Sequence, residues 1–208
     1  MIRLDATTEV ADRPFAALEL TSVDLAIMKR MLARLRQHIE ALPADPAQRS
    51  RDDHFADPDG QGIHWIVITD TDRVREPGDL VLVGFFGQAR LEVDPRPIVE
   101  LESALVADMP GQSSPLVYYN VHWPGAGWGN LVVFTDAEAE RAWGHDPRHH
   151  EAVGRAPAHY HSVRLHIGDL PGGIFGRGAI HLRRTRYLDF SGPEPWRANR
   201  ELVDEAAG

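Results

Sequence analysis

The 208-residue chain has no cysteine, which excludes disulfides, thiolate metal sites and a cysteine nucleophile. It has one lysine, Lys29, so nearly all of its basic residues are arginine. No apolar run approaches the roughly 18 residues of a membrane span. The opening MIRLDATTEVADRPF is acidic and lacks the apolar stretch of a secretory signal, so a cytoplasmic location is expected. Basic charge is also scarce: Lys and Arg total 22 against 31 Asp and Glu, a net charge of −9, which argues against a nucleic-acid partner. The one basic cluster, Arg183, Arg184 and Arg186, reads as a solvated strand edge.

What the chain does hold is histidine. Eight of its eleven histidines lie between His122 and His181, and imidazole is the side chain most easily recruited for proton transfer or metal binding near neutral pH. Residues 1–20 read as a loose arm. After Thr21 and Ser22, which can cap a helix, apolar residues recur at three and four from Leu25 to Leu42, and Pro43 ends the run. Residues 43–62 are rich in Pro, Asp and Gly and read as loop.

Strands follow at 63–69, 80–87, 116–123, 128–134, 159–168 and 179–190, the last with polar alternation and so an expected edge. The apolar run at 80–87 suggests burial on both faces. A helix over 98–109 carries Ile98, Leu101, Leu105 and Met109 on one stripe and closes at Pro110-Gly111. Residues 124–127 form a four-residue turn between two strands. Thr135 with Glu138 makes a capping box for a further helix, and a second helical piece ends at Pro157. The tail from Glu194 reads as a short helix.

The order over 80–168 is therefore β-α-β-β-α-β, a ferredoxin-like unit with an antiparallel sheet. Residues 1–62 would form an N-terminal helical extension, 63–190 the α+β domain and 191–208 a tail.

One stretch adds to this: Phe134, Glu138, Ala142, Trp143, His149 or His150, Ala152, Tyr160 and Arg164, spaced as in FTDAEAERAW, HH and YHSVRLHIG. It resembles the antibiotic-biosynthesis-monooxygenase-like families of the dimeric α+β barrel superfamily, over about 55 residues. The resemblance implies a homodimer of ferredoxin-like units packed sheet on sheet. It also implies a cavity between each sheet and its helices or the partner. The activities it implies range from cofactor-free oxygenation to haem chemistry and to binding without catalysis, and fold alone does not choose among them.

Strand alternation then nominates residues. Val163, Leu165 and Ile167 share one face of their strand and should pack on the helices. Tyr160, Arg164 and His166 share the other face. Tyr118, Asn120 and His122 fall together, as do Trp128 and Asn130. Gathered on the face away from the helices, they would form a pocket. Asn120 and Arg164 would bind oxygen atoms, His122 or His166 would act as base with Tyr160 as a further catalytic residue, and Tyr118, Trp128, Asn130 and Trp143 would hold a flat substrate.

The expected function is a cofactor-independent monooxygenase acting on an aromatic or polyketide-like molecule. The alternatives are a haem protein ligated by His149 or His150, or a non-catalytic binding or stress-response barrel. His159 and His161, two apart on a strand, could chelate a metal, but no third ligand is fixed near them, so no metal site is assigned. The glycine-rich stretch 172–178 follows a strand without opening a helix. It reads as a loop over a cavity mouth and not as a phosphate cradle.

Overall fold

The computed structural model describes residues 1–43, 50–57, 60, 62–109, 115–123 and 127–202. Residues 124–126 of the expected turn at 124–127, the helix stop at 110–111 and the end of the tail lie outside the described residues. The chain is α+β. Nine strands form one mixed sheet: β1 (Ile2–Leu4), β2 (Arg51–Ala56), β3 (Ile63–Ile68), β4 (Leu80–Ala89), β5 (Val117–Trp123), β6 (Gly127–Phe134), β7 (Tyr160–Leu170), β8 (His181–Asp189) and β9 (Trp196–Glu201). Their order is β1-β9-β8-β7-β4-β6-β5-β3-β2. Among the described residues β1 pairs with β9 in parallel, and the other pairs are antiparallel. The helices are α1 (Leu18–Ala41), α2 (Arg96–Ala107), α3 (Ala137–Gly144) and α4 (Pro147–His159).

The sheet has a helical layer on each side. On one face α1 lays Met28, Met31, Leu32, Leu35 and Ile39 against Ile66, Leu82, Phe86, Tyr119, Leu131 and Val133. Each of these helix residues contributes about 2 kcal/mol by leaving water. Leu35 is fully buried, and truncating it to Ala costs about 3 kcal/mol. Glycine at position 84 lets the helix approach: a β-carbon there would sit 2.7 Å from the Met28 sulfur.

On the other face α2 and α3 bring Leu105, Val106 and Trp143 onto Val67, Val81, Tyr118, Val132 and Phe134. Ala156 of α4 joins Tyr160, Val163, Leu165 and Phe85. Val163 and Leu165 therefore meet the helices, as their alternation suggests. Among the described residues no helix is long and apolar enough to cross a membrane.

Several elements differ from the sequence expectation. The arm at 1–20 is ordered, with β1 and a 3-10 turn at Pro14–Ala16 leading straight into α1. That helix therefore starts at Leu18, and Thr21 and Ser22 lie inside it. The fully buried Arg200 of β9 fastens the arm by donating to the carbonyls of Thr8 (2.7 Å) and Ala16 (2.9 Å) and to the Tyr187 hydroxyl (3.1 Å). The expected loop contains β2, and the expected tail helix is instead β9. Because β9 pairs with it, β8 is an interior strand and not an edge.

Asp136, not Thr135, caps α3 by accepting from Glu138 N and Ala139 N, both at 2.8 Å. Pro157 sits inside α4, which runs on to His159. The carbonyl it strands belongs to Val153, an exposed residue that water can reach. The glycine-rich loop is anchored: Ile174 is fully buried and Arg36 of α1 donates to the carbonyls of Ile174 and, at 3.1 Å, Gly176.

Candidate functional site

Register decides which polar side chains meet. Directly paired residues point to the same side of a sheet. One row runs Leu165, Phe85, Asn130, Asn120, Trp65, and the next runs His166, Gly84, Leu131, Tyr119, Ile66. Tyr118, Asn120 and Asn130 therefore face α2 and α4, while Arg164 and His166 face α1. The expectation of one shared polar face is corrected: alternation within each strand holds, but the two sets emerge on opposite sides. Tyr160 also changes company. A register shift at Gln88/Ala89 moves it to the helix side, where its ring lies over Gly87 and against Phe85, centroids 5.4 Å apart.

The helix-side cluster closes around Glu102 of α2. The Tyr118 hydroxyl donates to Glu102 Oε1. Asn120 Nδ2 donates to the same oxygen at 2.5 Å and to Asn130 Oδ1 at 3.1 Å, and Asn130 Nδ2 donates to the Tyr118 oxygen at 2.6 Å. This ring of four side chains closes over Glu102 Oε1.

Burial pushes the Glu102 carboxyl above its usual range, and the bonds from Tyr118, Asn120 and Asn130 offset this only in part. Burial and then the Glu102 charge push the Tyr118 phenol well up. Tyr160 is raised by the same two causes, burial first. His122 sits at the margin, stacked on Trp128 with ring centroids 4.5 Å apart. Such a site can take a proton onto a carboxylate while hydroxyl and amide groups steady the charge left behind.

The α1-side cluster centres on Asp24, which is 2% exposed. Arg164 grips it with two nitrogens, Nε to Oδ2 at 2.5 Å and Nη2 to Oδ1 at 3.0 Å. His166 Nε2 lies 2.8 Å from Oδ2, and its Nδ1 lies 2.8 Å from the Thr185 hydroxyl. Burial alone would raise the Asp24 pKa, but the bonds from His166 and Arg164 outweigh it and hold the carboxyl below its usual range. His166 is fully buried with both nitrogens engaged, so it is not placed to act as a base on a ligand. Beside this cluster a cleft of about 600 Å³ opens, lined in part by Asp24, Arg164, Phe86, Trp123 and Trp128.

Compared with protein-family models, with curated proteins and with solved structures, the chain matches none. The remaining histidines stand apart from both clusters. His149 lies against the Trp143 indole, centroids 5.6 Å apart, and burial holds its imidazole below the usual pKa. His150 is exposed. His159 ends α4, while His161 in β7 accompanies Arg90 at 3.1 Å, so the two do not share a strand face. Among the described residues no group of three or more metal-ligating side chains is found.

Sequence reasoning missed Glu102 and Asp24, the two acids that organise these clusters. A signal for both was present. Glu102 falls on the α2 stripe, four after Ile98 and three before Leu105, and Asp24 falls four before Met28. A carboxylate on the apolar stripe of a helix must find partners in the core.

Proposed function

We propose that the chain is a cofactor-free enzyme acting on a small hydroxyaromatic molecule, with Glu102 as the base and Tyr160 and Asn120 as the groups that steady the substrate anion. Glu102 thus takes the role expected of His122 or His166. The observation that carries the reading is a buried carboxylate on which the Tyr118 hydroxyl and the Asn120 amide converge at one oxygen, with its pKa raised by burial. We also propose that β4 to β7 with their helices form a ferredoxin-like unit. The strand order β7-β4-β6-β5 supports this, and the resemblance then implies a reaction site between sheet and helices.

In this reading Glu102 Oε2 removes a proton from an activated ring CH₂ or phenol. The resulting anion passes electrons to dioxygen. One oxygen atom ends as the product carbonyl and the other leaves as water, which balances loss of two hydrogens from the substrate. The face that a partner sheet would cover is occupied by α1, so a homodimer would form through another surface.

The test is aerobic incubation with a panel of anthrones and naphthols, following oxygen uptake and product mass. Wild type should convert at least one compound, and Glu102→Gln should lower the rate about 10²–10⁴-fold. Activity should fall on the acid side through a pKa above the ordinary glutamate value. A full rate in Glu102→Gln, or no turnover across the panel, would refute the proposal.

A further inference from the structure

The cleft beside α1 is separate from the Glu102 cluster, because the sheet lies between them. Its volume, about 600 Å³, is within the range that encloses a small organic ligand. Phe15, Phe86 and Trp123 contribute aromatic surface to it. Trp123 lies flat enough over β6 that a β-carbon on Gly129 would stand 2.9 Å from its ring. Glycine there lets the indole settle close to the strand.

The charge is local and unusual. The chain carries −9 overall, yet the charged residues that line the cleft are Arg30 and Arg164 against Asp24. Asp24 is already spent: both its oxygens accept from Arg164, and one also from His166. Arg164 is fixed through Nε and Nη2, and its Nη1 has no partner among the described residues. A guanidinium held rigid on one edge is preorganised to receive an anion on another. The Arg164 side chain is 15% exposed and Asp24 3%, so the arginine and not the aspartate is what a ligand meets.

We infer that this cleft binds a planar aromatic carboxylate, with its ring against Phe86 and Trp123 and its carboxylate toward Arg164, and with Arg30 adding long-range attraction at the rim. The inference does not rest on the proposed proton transfer at Glu102.

The test is isothermal titration of the full chain with 2-naphthoate and, separately, with the neutral 2-naphthamide. The acid should bind one site per chain with a dissociation constant of roughly 0.1 mM, and the amide at least about 10-fold more weakly. Arg30→Ala should weaken the acid about threefold. Removing Arg164 would strand Asp24 and endanger the fold, so the decisive variant is Val23→Trp. Val23 is 47% exposed and lines the cleft, and an indole there fills the space without touching the core. Val23→Trp should abolish binding, while Glu102→Gln should bind like wild type. Equal binding of acid and amide, unchanged binding in Val23→Trp, loss of binding in Glu102→Gln, or no binding at millimolar naphthoate would each overturn the inference.

Discussion

Replacing Asp24 by Asn removes one charge from a site built around it. The side chain keeps its shape, but an amide now faces the donors of Arg164 and His166. Asp24 is 3% exposed, His166 0% and Arg164 15% at the side chain, so two of the three groups have no water to turn to. Breaking one partner of a buried ion pair costs about 3–5 kcal/mol. The cleft lets water reach Arg164, which places the expected loss at about 3 kcal/mol. Folded domains have only about 5–15 kcal/mol in total, so the effect is large enough to measure by urea unfolding followed by far-UV circular dichroism.

The pH dependence has a definite sign. Asp24 is held below its ordinary value in the folded chain, so its contribution is present above about pH 4 and is lost as pH falls further. The gap between wild type and Asp24→Asn should be full at about pH 7 and should close as the pH drops below about 4. A gap under about 1 kcal/mol at neutral pH, or one equally wide at about pH 7 and pH 3, would refute the assignment of Asp24 as the charged centre of this cluster.

Glu102→Gln should move stability the other way. Its carboxyl is raised in the folded chain, so stability falls as pH climbs from the ordinary carboxyl value up to the raised one, and the variant should melt higher than wild type at about pH 8 with little difference at about pH 4. Arg200→Met leaves the carbonyls of Thr8 and Ala16 without their donor and should cost about 3–5 kcal/mol; limited proteolysis should then cut within residues 1–17 before the rest of the chain. Gly168→Ala places a β-carbon 2.5 Å from the His181 carbonyl oxygen, which is backbone, whereas Gly84→Ala meets side chains, the far end of Met28 at 2.7 Å and the Phe86 ring at 3.2 Å. Chemical denaturation should therefore show Gly168→Ala as the more damaging of the two.

The sequence made several features legible. The apolar stripe from Met28 to Ile39 marks α1, and the two-residue period of β5 and β7 separates their faces correctly within each strand. Which way each strand faces depends on its neighbours, and pairing is not written locally. Asn120 sits with Leu165 and not with His166 because Phe85 and Asn130 stand between them in register. The shift at Gln88/Ala89 moves Tyr160 for the same non-local reason.

Element type failed where long-range contacts override propensity. In WRANRE only Trp196 favours a strand, yet β8 offers an unpaired edge and Arg200 must be buried to hold the arm. Pro157 reads as a terminator, but so near the end of α4 its ring removes only one hydrogen bond. The acids Glu102 and Asp24 were visible as breaks in two apolar stripes, and periodicity searches discard such breaks as noise.

The position of α1 also bears on how the molecule is made. Residues 18–41 leave the ribosome before nearly every strand they will cover. Arg36 must wait for Ile174, 138 positions later, and Asp24 for His166, 142 positions later. Its oily stripe has nowhere to dock until β3 to β6 follow, and its two polar anchors close later still, across chain segments so long that closure is slow. Cellular yield of this protein should thus be governed by how long that newborn helix stays uncovered, and a chaperone that shields it should raise yield without changing the melting point of the finished fold.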